Sequence, residues 1–338
     1  MNNRRSLVTG GGGFIGAHLV KQLLEQGETV RVLELPDVPL PSSVEVVRGS
    51  ICDAGVVRDA LDDVQRLYHL AGNPNLWAVD KKDFQRVNYE GTCTIFKEAA
   101  KKDLEVVVYT STESILTGSA QIKAPVYSDV QRVLKEMPGP YCRSKFLAEQ
   151  AAFQAASDGL PVVIVAPTLP IGPGDRFITP PTRMILDFLN VKTPAYYNCR
   201  FNLVDVRDIA REHILAAEHG RPGERYIFGH ENMTLGELLQ LLEEITGLTM
   251  PKLRVPYWVA LSAGLVSEFT ADFITHRPPK APLTGVRLAK HPMYFNSDKA
   301  INELGFPQSS LRQALMDEVQ WLIDEGLVKR NIPLQQET

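Results

Sequence analysis

Tyr141 and Lys145, in PYCRSKFLAE, are four apart on a predicted helix and so share one face, which brings an ammonium beside a phenol. A phenol with a reference pKa of about 10 is a poor proton carrier near neutrality, but adjacent positive charge favours its phenolate. The pair therefore has the chemistry of an acid/base that moves a proton at an alcohol or carbonyl oxygen. Thr112, at the end of VVVYTST, can hydrogen-bond and orient the same oxygen, with Ser111 as the other candidate.

A second constellation lies near the amino terminus. In LVTGGGGFIG, Gly10, Gly13 and Gly16 sit three apart where a strand hands over to a helix, with Phe14 and Ile15 opening that helix. Glycine lets the chain turn sharply and approach a pyrophosphate, whose charge meets free N–H groups at the helix start. The next strand, VRVLE, ends at Glu34 about 20 residues later, where a carboxylate can accept hydrogen bonds from both hydroxyls of an adenosine ribose. An acid there repels a 2′-phosphate, so the expected cofactor is NAD, with NADP disfavoured. Arg31 and Arg48, near in sequence, are the residues that could instead swing toward such a phosphate.

Holding a phosphate turn, a strand-end threonine and a Tyr/Lys helix together calls for a parallel sheet flanked by helices. The sequence alternates accordingly. Ser6–Thr9, Thr29–Leu33, Val44–Val47, Leu67–Leu70, Val106–Thr110 and Pro161–Ala166 are short apolar runs that read as strands. Between them the spacing predicts helices over Phe14–Gln26, Val56–Leu61, Phe84–Lys101 and Tyr141–Ala155. After the loop-rich PTLPIGPGDRFITPP, helices are predicted over Thr182–Leu189, Val206–Glu218 and Leu235–Thr246. The expected fold class is α/β, a doubly wound parallel sheet with a smaller carboxy-terminal α/β lobe for substrate. Residues 1–167 are expected to form the dinucleotide core with the catalytic groups, segments around 201–230 to return to it, 168–330 to be mainly the substrate lobe, and 331–338 a tail.

With 338 residues, 44% of them hydrophobic and 22% charged, the composition is that of an ordinary globular protein. A net charge of −4 without any block of like charge argues against nucleic acid as a partner. Cys52, Cys93, Cys142 and Cys199 are widely spaced and form no CxxC pair, so neither a metal site nor a disulfide framework is expected, and a reducing cytoplasm fits. Cys142 reads as a small buried helix residue. MNNRRSLVTGG leaves no room for a signal peptide's apolar stretch, and Val255–Leu265 is about half the length needed to cross a bilayer.

With the glycine turn, the TST strand end and YxxxK in order, the sequence resembles the extended short-chain dehydrogenase/reductase superfamily of NAD-dependent epimerases and dehydratases over most of its length. The resemblance implies a Rossmann core and a catalytic set of Thr112, Tyr141 and Lys145. It also implies a cofactor cleft that includes Ser50 and Ile51, Leu70, Ala71 and Gly72 of YHLAGN, Asn88 of VNYEGT, Ser111 and Pro167, besides Tyr141 and Lys145. Ser50 stands where many relatives carry an aspartate that reaches the adenine, and its hydroxyl implies a weaker hold there. VVIVAPTLPIGPGDR, MILDFLN, FNLVDVRDIA and GERYIFG are similar to the dihydroflavonol-reductase and 3β-hydroxysteroid-dehydrogenase-like group, especially to hopanoid-associated proteins classed as sugar epimerases. Nucleotide-sugar enzymes of the superfamily clamp a diphosphate with an RxGD-like arginine, which LAKHPMYFNSDKAINELG lacks. Its dehydratases follow the threonine with an acid and a base; Glu113 could fill the acid position but Ser114 cannot be the base, so Glu113 is expected to be structural.

The family topology implies a rather apolar substrate cavity lined by Asn73, Asn75, Trp77, Leu116, Leu169 and the region of Tyr257 and Trp258. At helical spacing Tyr257, Trp258 and Leu261 read more commonly as core packing. PYWVALSAGLVSEF could also rest on a membrane surface, although it lacks a basic polar face. The expected function is NAD-dependent interconversion of a secondary alcohol and a ketone on a lipid-, steroid- or flavonoid-like small molecule, with Tyr141 as acid/base. The alternatives are a nucleotide-sugar epimerase that retains its NAD and a non-catalytic dinucleotide-binding protein. Family analogy implies a homodimer through the helices at 84–101 and 141–155.

Overall fold

The computed structural model describes residues 4–117, 130–190 and 195–332; of the expected tail, 333–338 lie outside the described residues. Strand β1 (Arg5–Thr9) turns into α1 (Phe14–Glu25), followed by β2 (Thr29–Glu34), β3 (Glu45–Arg48), α2 (Ala54–Ala60) and β4 (Arg66–His69). The helix predicted over Phe84–Lys101 is a rod of two windings, a π-helix over Phe84–Gly91 that continues as α3 (Thr92–Ala99). β5 (Val106–Thr110), α4 (Val130–Glu136), α5 (Pro140–Ser157) and β6 (Val162–Pro167) come next. The second half holds β7 (Leu169–Ile171), α6 (Pro180–Asn190), β8 (Ala195–Tyr196), β9 (Arg200–Asp205), α7 (Val206–His219), β10 (Arg225–Phe228), β11 (Glu231–Thr234) and α8 (Leu235–Thr246). β12 (Leu253–Arg254), α9 (Tyr257–Thr270), α10 (Leu283–Leu288), α11 (Asp298–Leu304) and α12 (Leu311–Asp324) follow.

Seven strands form one parallel sheet in the order β3-β2-β1-β4-β5-β6-β10. Its central strands are apolar without alternation because helices cover both faces. Val8, Tyr68, Val108 and Val165 pack with Leu19 of α1 and Ile209 and Ile214 of α7. On the other face Leu7, Leu67, Val107 and Ile164 pack with Val57 of α2, Phe96 of α3 and Ala152 of α5. Each such buried aliphatic side chain stabilises by about 1.5–3 kcal/mol, so the two layers lock the strands in register. The winding reverses between β1 and β4, and a crevice opens there at the carboxyl ends of the strands.

The smaller lobe is built on a three-stranded sheet, β11-β9-β7, and the short β8/β12 pair. Its core gathers Ile185, Leu189, Leu203, Leu238, Leu242 and Leu315. Among the described residues no helix is long and apolar enough to cross a membrane.

Candidate active site

A cavity of about 650 Å³ runs along the crevice, a size typical of small-molecule sites. Every residue expected to touch the dinucleotide or to take part in catalysis lines it: Gly10, Gly13, Phe14, Ile15, Gly16, Glu34, Ser50, Ile51, Leu70, Ala71, Gly72, Asn88, Ser111, Thr112, Tyr141, Lys145 and Pro167. These positions span more than 150 residues of sequence, and the sheet brings them to one edge.

The glycine turn is shaped by close approach. Gly10 has φ +72°, and a Cβ there would lie 2.9 Å from the backbone of Ala71, while a Cβ on Gly16 would collide with the Gly10 carbonyl oxygen. The Glu34 carboxylate accepts from the Gly12 N–H at 3.0 Å and the Leu35 N–H at 2.9 Å, which sets it beside the turn. A bare turn at a helix start with a carboxylate alongside fits the pyrophosphate and adenosine ribose of a dinucleotide. Arg48 donates to the Leu35 and Val38 carbonyls at 2.8 Å each, and the buried Arg31 donates to the Ala60 carbonyl and pairs with Glu45 at 2.8 Å. Both arginines are engaged elsewhere and neither lines the cavity.

Two polar networks support this floor. Thr9 Oγ1 accepts from the Ala71 N–H and lies 2.7 Å from His69 Nδ1, while His69 Nε2 is 3.0 Å from Thr92 Oγ1. Burial, reinforced by the Lys145 charge, pushes the imidazole down to about 3, so His69 is a neutral strut. On the π-helix, Asn88 accepts from the Asn73 N–H at 2.7 Å and donates to the Asn73 carbonyl and to Ser144 Oγ, tying the loop after β4 to α5.

Tyr141 and Lys145 project from the first turns of α5, whose register is set by Pro140 at its start. The Tyr141 hydroxyl is hydrogen-bonded to Thr112, and burial pushes the phenol above its ordinary value despite that bond. The Lys145 ammonium donates to the Thr110 carbonyl at 2.7 Å and sits 4.9 Å over the Tyr109 ring. Burial lowers Lys145 to about 8, opposed by the carboxylate of Glu149. Ser111 is committed downward, donating to Glu149 at 2.7 Å, and Glu149 also accepts from Arg225 at 2.7 Å. Thr112 is therefore the strand-end hydroxyl in contact with Tyr141.

Glu113 was expected to be structural, but it lines the cavity. Its carboxyl accepts from Thr112 Oγ1 at 3.0 Å and Ser114 Oγ at 3.2 Å. Burial raises it to about 7 against the pull of those bonds, so it titrates near neutrality. Thr112 Oγ1 thus contacts both the Glu113 carboxyl and the Tyr141 hydroxyl.

At the substrate end, Asn73, Asn75 and Leu169 line the cavity as expected, whereas four other positions do not. Trp77 is buried with its indole N–H donated to Asp272 at 2.6 Å, and Leu116 packs behind Tyr141 with Phe84 and Ile115. Tyr257 and Trp258 lie on α9 outside the cavity. In their place stand Met184, Arg200, Phe201, Leu288 and Met293, which come from four separate segments.

A profile of the NAD dependent epimerase/dehydratase family matches residues 6–229. Over 332 residues the chain is 41% identical to a Synechocystis sp. protein named as a candidate dihydroflavonol 4-reductase, covering 95% of each. It is 33% identical to sterol demethylase protein B of Methylococcus capsulatus, covering 96% of this chain and 99% of that one. The crystal structure of gox2253 superposes with a TM-score of 0.82 at 32% identity, covering 97% of this chain and 100% of that one. MoeE5, solved in complex with UDP-glucuronic acid and NAD, shares the fold with a TM-score of 0.71 at 23% identity, covering 95% and 99%.

Proposed function

The chain belongs to the NAD-dependent epimerase/dehydratase family, and from that premise we propose that it is a net oxidoreductase, interconverting a secondary alcohol and a ketone on an apolar substrate. The observation that carries this reading is the wall next to the Tyr141–Thr112 pair: Leu169, Met184, Phe201, Leu288 and Met293, with Arg200 as the cation at that end. A sterol-, lipid- or flavonoid-like ring system suits such a wall, whereas a sugar diphosphate asks for several cations. Relatives named for dihydroflavonol and sterol chemistry point the same way.

The residues around the glycine turn would hold NAD, with Glu34 on the adenosine ribose favouring it over NADP and Lys145 toward the nicotinamide ribose. When bound, NAD supplies the hydride donor or acceptor, so that a ketone, NADH and one proton become an alcohol and NAD. The protein manages the proton. Tyr141 Oη, held protonated by burial, donates to the carbonyl oxygen as it becomes an alkoxide. The proton is replaced from the protonated carboxyl of Glu113, which donates to Thr112 Oγ1 while the threonine proton turns to Tyr141 Oη along the same line of contacts.

The test is a panel of cyclic and steroidal ketones, with UDP-sugars alongside, followed by the nicotinamide absorbance with NADH and NADPH. Ketone-dependent loss of NADH is the expected result. Interconversion of a UDP-sugar with no net change in NADH would replace the oxidoreductase by an epimerase.

A further inference from the structure

Among the described residues, the one long stretch of apolar side chains left in solvent is on α9 and the π-helical turn after it (Ala271–Thr275). More than half of the large exposed hydrophobic side chains among the described residues fall between 253 and 274. Trp258 (68% exposed), Leu265 (50%), Phe269 (60%) and Phe273 (71%) follow one another at spacings of seven, four and four, with Val266 (68%) beside Leu265, which makes a single stripe along the rod. Ile274 extends it at 66% exposure, and the rings of Phe269 and Phe273 lie 4.9 Å apart, tilted by 43°. An apolar patch of this kind marks an interaction surface.

The charge around the stripe says what it meets. The chain as a whole is net −4, yet residues 252–291 carry six Lys and Arg against two acids. Lys252 and Arg254 precede the stripe, Arg277 and Lys280 follow it, and Arg287 and Lys290 lie on or just after α10; all six are exposed. The basic polar rim that the α9 sequence lacks is thus supplied by its flanks. The two acids face inward. Glu268 accepts from the Leu283 N–H at 2.7 Å, and Asp272 accepts from Trp77 Nε1 at 2.6 Å and from Lys81 at 3.0 Å. A second copy of this chain would bring the same cations against their like, which disfavours a self-association through this face.

We propose that this face docks the protein on the surface of an anionic lipid bilayer, with the aromatic and aliphatic stripe in the interface and the lysines and arginines on the headgroups. The rod lies in the plane of the surface rather than across it, since it is not long and apolar enough to span. α9 also packs on α10, where Val286 fills the notch over Gly264, and Gly285, Leu288 and Ala289 of that hairpin line the cavity. One layer of helix therefore separates the lipid-facing stripe from the substrate end, a short path for a substrate dissolved in the bilayer.

Co-sedimentation of the full chain with vesicles of phosphatidylcholine alone, and of phosphatidylcholine with phosphatidylglycerol, tests it without any substrate. The wild type is expected to pellet with the anionic vesicles and to be released by salt. The double variant Phe269→Glu/Phe273→Glu, whose side chains are exposed, should bind about tenfold more weakly, as should Arg277→Glu/Lys280→Glu, with melting temperature and ketone turnover unchanged. A wild type that stays in the supernatant with anionic vesicles overturns the proposal, and so does a phenylalanine variant that binds like the wild type. If the wild type ignores vesicles but runs as a dimer that the phenylalanine variant abolishes, the occupant is a second copy. Loss of ketone turnover with vesicle binding intact would strike only the oxidoreductase reading.

Discussion

Thr112 Oγ1 donates to Glu113 across 3.0 Å and is also hydrogen-bonded to the phenol of Tyr141, which places a titrating carboxyl two hydrogen bonds from the proposed proton donor. The titratable groups facing Glu113 are Tyr141 and Cys142, both pushed up by burial and neutral at ordinary pH. Glu113 is therefore the group in this chain of contacts that changes charge near pH 7.

Ketone reduction needs Glu113 protonated and alcohol oxidation needs it ionised. The rate of reduction should fall as pH rises through about 7, and oxidation should rise through the same range. Glu113→Gln, which keeps the shape but cannot exchange a proton in this way, should flatten both limbs and lower reduction at pH 6 about tenfold. Profiles of kcat/KM in the two directions check this; an unchanged inflection in the variant removes Glu113 from the relay.

Gly16→Ala places a methyl group against the Gly10 carbonyl oxygen, a backbone atom that cannot step aside without opening the turn. Its affinity for NAD should fall by at least about tenfold with the melting temperature lowered. Calorimetric titration with NAD measures the first and thermal unfolding the second.

Glu34→Ala removes the carboxylate beside the turn and frees the Gly12 and Leu35 N–H groups that it now holds. The ratio of kcat/KM for NADH over NADPH should fall about tenfold or more, chiefly through weaker NADH binding. An unaltered ratio would separate Glu34 from cofactor choice.

Glu318 on α12 is buried, accepts from the Gly172 N–H at 2.8 Å and is raised by burial to about 8. A carboxyl whose folded pKa lies above its unfolded value stabilises the fold fully below the unfolded value, about 4.3, and loses that contribution as pH rises through about 8. The melting temperature should decline from about pH 5 to 8, and Glu318→Gln should decline less, by about 3 °C over that range.

The dinucleotide cleft was legible in the sequence because its parts are local. Gly10, Gly13 and Gly16 form one turn, Glu34 ends the next strand, and Tyr141 and Lys145 share one helical face. The strands behind them read as continuous apolar runs because both faces of the sheet are covered. The substrate wall was not legible, since Met184, Arg200, Leu288 and Met293 meet only after the second lobe has folded and none has a neighbour in sequence that marks it. Trp77 and Leu116 show the converse: each sits near a motif in sequence, yet their side chains turn away into Asp272 and the Phe84 cluster. Tyr257, Trp258 and Leu261 read as core packing at helical spacing, yet Trp258 is exposed, because periodicity alone does not say whether a face meets a core or the outside. The raised pKa of Glu113 was not legible either, because it is set by burial that no spacing reveals.

The most direct measurement is the ketone-dependent oxidation of NADH by the wild type and by Tyr141→Phe, with NAD affinity determined for both. The wild type should consume one NADH for each alcohol formed, and the variant should lose at least about a hundredfold in kcat while its NAD affinity stays within about twofold. A variant that turns over the ketone at the wild-type rate would contradict the assignment of the proton to Tyr141.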